Sequence, residues 1–265
     1  MKIICLIKFI PDVDNFHYDY ERHVLVRENV DMVLNPDDRA ALAYALKLKK
    51  NRPEIKVEIV SMAPLSILDK FKDLLRLGVD YGVLISDPLY IGSDTYVTSQ
   101  IIGAYLKKVQ YDVILAGTHS LDGDTAHVPA QLANILGLNQ MSHIIGFGED
   151  ELGLETAKVT VELEDAIADF QIKYPAILGV SKESKYKLPF VRYDDLDLNV
   201  DHKMEILTNE GLGFSKEEVG AVGSLTKVSK TWQPQLLKRS QVVVSDLNEG
   251  IEEVIQFLEK EGYLP

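Results

Sequence analysis

The sequence predicts an α/β protein built on a parallel sheet, with added strands and an extended C-terminal arm. Three observations carry this prediction. Short apolar runs alternate four times with helical patterns before residue 139. Shorter β-like segments follow, and residues 183–240 then show no sustained period. Because alternating strands and helices favour parallel strands joined by right-handed crossovers, the first part of the chain predicts the parallel sheet.

The first strand is predicted over residues 2–8, an apolar run typical of a central strand. Pro11 has no N–H for a ladder, so the strand is expected to end before it. Residues 13–34 mix aromatic, charged and β-branched side chains and predict an irregular or hairpin excursion.

Three helix starts follow, each paired with a strand. Asn35 is a candidate cap, Pro36 fits the first helical position, and the two aspartates after it favour the positive helix end. The second helix opens at Pro64 and ends at Gly78. The third opens within residues 92–95, where a plain capped helix is the preferred interpretation. The intervening strands are predicted at Lys56–Met62 and Tyr81–Ile85.

The fourth strand, at residues 113–116, leads into a loop of small and acidic residues and then a helix. Thr125 is predicted to cap that helix, with Pro129 in its first turn. Such a loop directs unpaired N–H groups and a positive helix end at one point, which suits a phosphate. A plain capped turn and a metal loop stay open as alternatives. Asp122 and Asp124 are compatible with a phosphate only if their side chains point away.

In a parallel sheet, ligands bind at the carboxyl ends of the strands, near a switch in strand order. Residues 6–8, 62–64 and 117–125 are expected to meet there. His119 and His127 flank the last of these segments and are candidate ligand contacts, although a solvated or capping histidine is the preferred interpretation.

After residue 139 the pattern predicts strands that extend the sheet, over residues 141–147, 156–163, 166–174 and 176–180. Residues 241–245 predict a further strand. Ile251, Val254, Ile255 and Leu258 have the spacing of an amphipathic helix. We expect residues 1–185 to form the nucleotide-binding part and residues 186–265 to wrap a partner subunit, because long irregular segments are uncommon in a chain that packs alone.

Composition excludes several classes of function. The net charge of −13 disfavours nucleic acid and anionic membranes as partners. No apolar run reaches the ~18–20 residues of a membrane span. The single cysteine, Cys5, lies in an apolar run, excludes an internal disulfide and fits a reducing cytoplasm. There are no cysteine pairs and no HExxH, GxGxxG, P-loop or GxSxG motifs, and no catalytic acid–base pair is predicted.

A set of motifs, taken in order, resembles the small (β) subunit of electron-transfer flavoproteins. The likeness covers nearly the whole chain. Val222-Gly223-Ser224-Leu225-Thr226-Lys227-Val228 and Trp232-Gln233-Pro234 resemble the arm of the family's anaerobic branch. The other motifs are Lys8-Phe9-Ile10-Pro11-Asp12, Leu34-Asn35-Pro36-Asp37-Asp38, Ser61-Met62-Ala63-Pro64, Leu77-Gly78-Val79-Asp80, Ser93-Asp94-Thr95, Gly117 through Asp122-Gly123-Asp124-Thr125 to Gln131-Leu132-Ala133, and Tyr174-Pro175-Ala176-Ile177-Leu178.

The resemblance implies the family's adenine-nucleotide-binding α/β fold and an electron-carrier subunit rather than a stand-alone enzyme. The bound nucleotide would be AMP or, in the electron-bifurcating branch, FAD; Thr95 and Thr98 match a threonine pair of that branch and favour FAD. By position, the nucleotide would contact Leu6, Lys8, Asn35, Pro36, Asp37, Asp38, Met62, Thr95, Thr98, Gly117, Thr118, His119, Ser120, Leu121, Asp122, Gly123, Asp124, Thr125, Ala126, His127 and Val128.

The resemblance also implies partners. The arm would wrap the large (α) subunit, and the heterodimer would take electrons from NADH or a flavin dehydrogenase that docks near Leu196. The chain departs from the family pattern in three places, one of which is His127, where the family commonly has glutamine. Residues 161–164 read Val-Glu-Leu-Glu where the family often has Val-x-Arg and an acid, and residues 194–203 are acidic where the family is rich in lysine. A non-redox nucleotide-binding protein and a scaffold subunit are the alternatives.

Overall fold

The structure is a computed structural model, and it describes residues 1–12, 17–19, 24–26, 31–153, 155–227, 243–244 and 246–264. Contacts within the chain define two units, Met1–Ser229 and Lys230–Pro265. The first unit contains the sheet and the helices that cover it. The second contains a single long helix among its described residues. The expected division at residue 185, with an arm that wraps a partner, stays a prediction.

The first unit is organised on a nine-stranded sheet. Its strand order is β11-β10-β9-β12-β8-β1-β6-β7-β13, and two further pairs of short strands, β2-β5 and β3-β4, lie outside it. The strands are β1 (Lys2–Leu6), β2 (Phe9–Pro11), β3 (His17–Asp19), β4 (Val24–Val26), β5 (Met32–Leu34), β6 (Lys56–Met62), β7 (Tyr81–Ile85), β8 (Val113–Gly117), β9 (Asn139–Leu152), β10 (Thr156–Glu162), β11 (Ile167–Lys173), β12 (Ala176–Val180) and β13 (Met204–Leu207).

The seven strands in the order β9-β12-β8-β1-β6-β7-β13 are all parallel to their neighbours. Next to β9, β10 and β11 extend the sheet as antiparallel strands. The predicted α/β class with a parallel sheet and added antiparallel strands is therefore confirmed. The bounds of β6 and β7 agree with the prediction, whereas β1 ends at Leu6, before the predicted end of the first strand.

Helices cover both faces of the sheet. Successive side chains of a strand point to opposite faces. Accordingly, Ile3 and Cys5 of β1 pack in one apolar cluster with the first two helices, and Ile4 and Leu6 pack in another with the third and fourth. The helices are α1 (Pro36–Asn51), α2 (Leu68–Arg76), α3 (Thr95–Leu106), α4 (His127–Leu136), α5 (Asn209–Leu212), α6 (Gly220–Gly223) and α7 (Leu247–Lys260).

Two expectations about local structure need correction. The first strand does end before Pro11, at Leu6, but Pro11 itself lies in a separate strand, at the end of β2, where it pairs with Met32. A proline is tolerated there because the two-stranded pair has free edges on which no N–H is needed. α2 begins at Leu68 and not at Pro64, because a 3₁₀ turn over Leu65–Ile67 comes first.

The C-terminal part contains a strand that the sequence analysis missed. β13 lies within the predicted arm, yet it joins the sheet parallel to β7, with Met204 opposite Gly82. Of the strand predicted over residues 241–245, only residues 243 and 244 are described, and neither is in a strand. Trp232-Gln233-Pro234 lies outside the described residues. The amphipathic helix predicted near the C-terminus is confirmed as α7. Across the described ranges, none of the helices has the length and apolar character needed to span a membrane.

Candidate functional site

A cavity of about 520 Å³ opens at the carboxyl ends of β1 and β8. These two strands are neighbours at the point where the strand order reverses, since β6 and β7 continue on the other side of β1. The cavity volume lies within the range of ~300–1,000 Å³ that is usual for small-molecule sites. The structure therefore places a ligand-sized cavity at the switch point of the sheet, where the sequence analysis expects one.

Most residues of the expected site meet in this cavity wall. The exceptions are Pro36, Asp37, Leu121, Asp122 and Asp124, which are not part of it. The expected residues that line the cavity are Leu6, Lys8, Asn35, Asp38, Met62, Thr95, Thr98, Gly117, Thr118, His119, Ser120, Gly123, Thr125, Ala126, His127 and Val128. Their contact with a nucleotide stays a prediction.

Asn35 supports the loop after β8 and does not cap α1. Pro36 takes the first helical position as predicted, but the Asn35 side chain makes no capping hydrogen bond. Its Nδ2 instead donates to the carbonyl oxygen of His119 (2.8 Å), and its Oδ1 accepts from the amide of Leu121 (3.3 Å). The first turn of α1 thus fixes the backbone of the loop that borders the cavity.

Asp38 joins three elements through one buried carboxylate. Oδ2 accepts from the amide of Lys8 (2.9 Å) and Oδ1 accepts from the amide of Gly117 (2.7 Å). Burial raises the pKa of Asp38 to about 7, although the hydrogen bonds from these amides act in the opposite direction. The carboxylate therefore holds the ends of β1 and β8 against the start of α1.

Asp37 forms a second buried link. Oδ1 accepts from the amide of Lys182 (2.9 Å), just beyond β12. Oδ2 lies 3.1 Å from Nδ1 of His119 and also accepts from the His119 amide (3.3 Å). Asp37 therefore fixes the position of the His119 ring, and the ring itself lines the cavity.

The acids of the loop contact basic side chains and do not line the cavity. Lys8 Nζ lies 2.7 Å from Oδ1 of Asp122 and 3.1 Å from Oγ of Ser120. Burial acts to raise the pKa of Asp122, but the hydrogen bond and charge of Lys8 outweigh it, and the pKa is below its usual value. Oδ1 of Asp124 lies 3.6 Å from Nε2 of His119. Since neither carboxylate lines the cavity, the loop meets the condition under which it could accept a phosphate, namely that the side chains of Asp122 and Asp124 point away from it.

The start of α4 differs from the prediction. Thr125 does not cap this helix: α4 begins at His127, and Ala126 occupies the N-cap position in the left-handed conformation (φ 53°) without a side-chain cap. The Ala126 side chain therefore caps none of the first-turn N–H groups, and Pro129 in the same turn has no N–H. Because His127 and Val128 line the cavity, this uncapped helix start offers an anion site.

The start of α3 forms another part of the wall. Asp94 caps α3 by accepting from the amide of Val97 (3.0 Å), which confirms the capped-helix interpretation. Its Oδ2 also accepts from the amide and the hydroxyl of Thr226 (2.9 Å each). Thr226 lines the cavity, and the sequence analysis missed it. Tyr90, also missed, lines the cavity and donates through its hydroxyl to Oδ1 of Asn209 (3.0 Å).

One buried polar atom in the wall lacks a partner. Thr118 is 2% exposed, and its Oγ1 has no hydrogen-bond partner among the described residues. A buried hydroxyl without a partner costs free energy, so a polar ligand atom at this position would stabilise it. This residue, the uncapped start of α4 and Lys8 fit the phosphate-bearing nucleotide that the resemblance implies.

The residues give no comparable support to a metal loop. Within the part of the chain that the structure describes, no group of three or more histidine, cysteine, aspartate or glutamate side chains is arranged to hold a metal ion. The described cavity wall is instead largely apolar, with hydroxyl and histidine side chains, Lys8 and two aspartates, Asp38 and Asp94, among its polar residues.

Comparisons with known proteins agree with this geometry. Residues 22–186 match the family model described as electron transfer flavoprotein domain. An electron transfer flavoprotein subunit beta of Thermoanaerobacterium thermosaccharolyticum is 31% identical over 264 residues, with 97% of this chain and 98% of the relative covered. That of Clostridium acetobutylicum is 31% identical over 267 residues, with full coverage of both chains.

A third relative is a subunit of a larger complex. The caffeyl-CoA reductase-Etf complex subunit CarD of Acetobacterium woodii is 31% identical over 240 residues, with 88% of each chain covered. Taken together, the family match over most of the chain and the near-complete alignments show that the chain belongs to the electron transfer flavoprotein family, among its beta subunits.

Proposed function

We propose that this chain binds FAD, or AMP as the alternative, in the cavity at the ends of β1 and β8 and works with an α subunit as an electron carrier. One observation carries the proposal. The cavity wall combines the uncapped start of α4 with Lys8 and the unpartnered hydroxyl of Thr118.

The phosphate-binding part of the proposal rests on charge and geometry. The first-turn amides of α4 and the ammonium group of Lys8 border the same cavity. Backbone N–H groups at a helix start and a lysine together attract an anion even in a protein of net charge −13. Asp122 and Asp124 do not themselves line the cavity, and their carboxylates contact Lys8 and His119, respectively.

The preference for FAD over AMP rests on the far side of the cavity. Thr95 and Thr98 of α3 line the same cavity as the start of α4, so the cavity offers hydroxyl groups in addition to the phosphate-binding amides. They match the threonine pair of the bifurcating branch. A bound flavin supplies the redox chemistry, and the side chains of this chain bind it, orient it and limit its exposure to water.

The proposed α-subunit contact includes the C-terminal unit. In α7, Ile251, Val254 and Ile255 lie on one side of the helix and are 50%, 57% and 43% exposed. A face of aliphatic side chains exposed to this degree is typical of a surface that a partner covers. The names of relatives agree: one is an acryloyl-CoA reductase electron transfer subunit gamma from Anaerotignum propionicum.

A second partner surface is proposed near Leu196. Phe190 and Tyr193 are 95% and 88% exposed, and Leu196 is 46% exposed within an acidic stretch. An exposed apolar group with charged neighbours suits transient docking, in which the charges govern the rate of encounter. We propose that a flavin dehydrogenase with a basic docking surface binds here in the cytoplasm and exchanges electrons with the heterodimer.

The test is to co-express the chain with the α subunit encoded beside it and to count FAD and AMP per purified heterodimer by absorbance and mass spectrometry. Two FAD molecules are the expected result, and they support a bifurcating carrier. One FAD and one AMP support a simple carrier. A colourless monomer that holds ATP contradicts the electron-transfer proposal and favours the non-redox alternative. A heterodimer whose only nucleotide is bound by the α subunit favours the scaffold alternative.

A further inference from the structure

His119 lies between two carboxylates at the edge of the cavity. Its Nδ1 is 3.1 Å from Oδ2 of Asp37, whose side chain is 3% exposed, and its Nε2 is 3.6 Å from Oδ1 of Asp124, whose side chain is 79% exposed. One nitrogen therefore faces a fixed, buried partner. The other faces a longer contact with a solvated side chain, so Nε2 is the nitrogen able to accept a new partner.

The cavity wall is short of positive charge for a phosphate ligand. Among its described residues, Lys8 is the only lysine or arginine, and it already contacts Asp122. Asp38 and Asp94 belong to the same wall. A nucleotide phosphate adds one or two negative charges, so its binding favours any wall group that can gain a proton.

We propose that His119 takes up a proton when a phosphate-bearing nucleotide binds, and that the imidazolium then serves with Lys8 as the second positive group beside the phosphate. Asp37 is the positioning residue for this histidine. The inference rests on the proposed nucleotide site and adds to it a dependence of nucleotide affinity on pH.

Charged and titratable groups from several elements lie around this part of the cavity. Asp37 of α1 and Asp124 of the loop contact the His119 ring, Lys8, Asp38 and His127 line the same cavity, and Asp122 contacts Lys8. Asp37 is held in place from the other side by the amide of Lys182. The Asp37 carboxylate therefore holds Nδ1 of His119 and leaves Nε2 for the nucleotide.

The sign of the effect follows from linkage. The protonated complex is the more stable one, so affinity for the nucleotide rises as pH falls through the range in which histidine takes up a proton. If the complex with the charged ring binds the phosphate about tenfold more tightly, the ratio of affinities between pH 6 and pH 8 changes roughly fivefold.

The experiment titrates AMP, and FAD in parallel, into nucleotide-stripped heterodimer at pH 6, 7 and 8 by calorimetry. It compares the native complex with H119Q, which keeps a polar side chain but cannot take up a proton. H202Q is the matched control, because His202 lies in a 3₁₀ turn away from the cavity wall. Adenosine, which has no phosphate, serves as the control ligand.

The expected result is that the ratio of native to H119Q affinity for AMP is about five times larger at pH 6 than at pH 8, while H202Q follows the native complex. Because both complexes bind the same AMP, the ratio of native to H119Q affinity at each pH removes the effect of protonation of free AMP. Adenosine should show no such change. Equal pH profiles for native and H119Q overturn the inference and leave the nucleotide site standing. Failure of both AMP and FAD to bind overturns the proposed function as well.

Discussion

The amide of Gly117 donates a 2.7 Å hydrogen bond to Oδ1 of Asp38, and this buried contact joins the end of β8 to the first turn of α1. The other oxygen of the same carboxylate holds the amide of Lys8. All three residues line the cavity. The shape of the cavity at the switch point therefore depends on how closely the backbone of Gly117 approaches Asp38.

We expect Gly117→Ala to abolish nucleotide binding and to destabilise the protein by about 1–3 kcal/mol. A Cβ at this position would collide with Oδ1 of Asp38 and would come within 2.8 Å of Cβ of Asp37. Both belong to the buried start of α1, which has no room to move. Nucleotide content and thermal unfolding measure the effect.

Gly146→Ala is the matched control, since a Cβ there would meet only Thr160 at ordinary contact distance, 3.7 Å. It should retain both nucleotide and stability. If G117A binds nucleotide as tightly as the native chain, the close approach of Gly117 to α1 is not required for the site.

The raised pKa of Asp38 predicts that the stability of the protein depends on pH. Because burial raises its pKa to about 7, the folded chain binds more protons at this carboxyl than the unfolded chain does between about pH 4 and pH 7. Stability from this group is therefore largest at low pH and is lost as pH rises to 7. Relative to Asp38→Asn, the native protein should lose about 1–2 kcal/mol of unfolding free energy from pH 5.5 to 7 and only about 0.4 kcal/mol more up to pH 8.5.

Asp80→Asn serves as the contrast. Burial acts to raise the pKa of Asp80, but hydrogen bonds from Lys49 and the amide of Val57 outweigh it, and the pKa is lowered. Its titration therefore lies below the measured range, and the difference between native and D80N should be flat from pH 5.5 to 8.5. Denaturant unfolding at each pH provides the measurement. A flat difference for D38N would show that Asp38 is already ionised at pH 5.5.

Sequence patterns predicted the sheet and the location of the cavity, because both follow from local periodicity and the order of elements. β6 and β7 agree to the residue. The patterns could not predict contacts between distant segments: Thr226 reaches Asp94 across 132 positions. Nor could they predict β13, which is only four residues long and lies at the sheet edge. The start of α4 was misplaced because alanine rarely adopts the left-handed conformation that Ala126 has.

Thr118→Val should weaken nucleotide binding without destabilising the protein. The Thr118 hydroxyl is buried in the wall without a described partner, so its removal costs no internal hydrogen bond. The loss of one hydrogen bond to the nucleotide corresponds to a five- to tenfold weaker affinity, or about 1 kcal/mol. Ser61→Ala is the control, because Oγ of Ser61 is equally buried and unpartnered but does not line the cavity. Equal nucleotide affinities for T118V and S61A would show that the Thr118 hydroxyl does not bind the nucleotide.

Leu196→Ala should slow electron exchange with the partner dehydrogenase at least about fivefold, because a central apolar anchor typically contributes more than 1 kcal/mol to an interface. FAD content and assembly with the α subunit should be unchanged, since Leu196 does not line the cavity and is 46% exposed. Leu65→Ala, at a leucine that is 54% exposed elsewhere on the first unit, is the control.

The acidic residues beside Leu196 should affect the rate of electron exchange separately from Leu196 itself. Charge reversal at Asp195 should lower the rate mainly at low ionic strength, because the charges steer the encounter and salt screens them within about 10 Å at 0.1 M. Stopped-flow reduction of the heterodimer by a dehydrogenase from the same gene cluster, at 20 and 200 mM salt, separates the two effects. A Leu196→Ala complex that is reduced as fast as the Leu65→Ala complex would place the docking surface elsewhere, whereas a rate that is slow at both salt concentrations would identify Leu196 as the apolar anchor of the encounter.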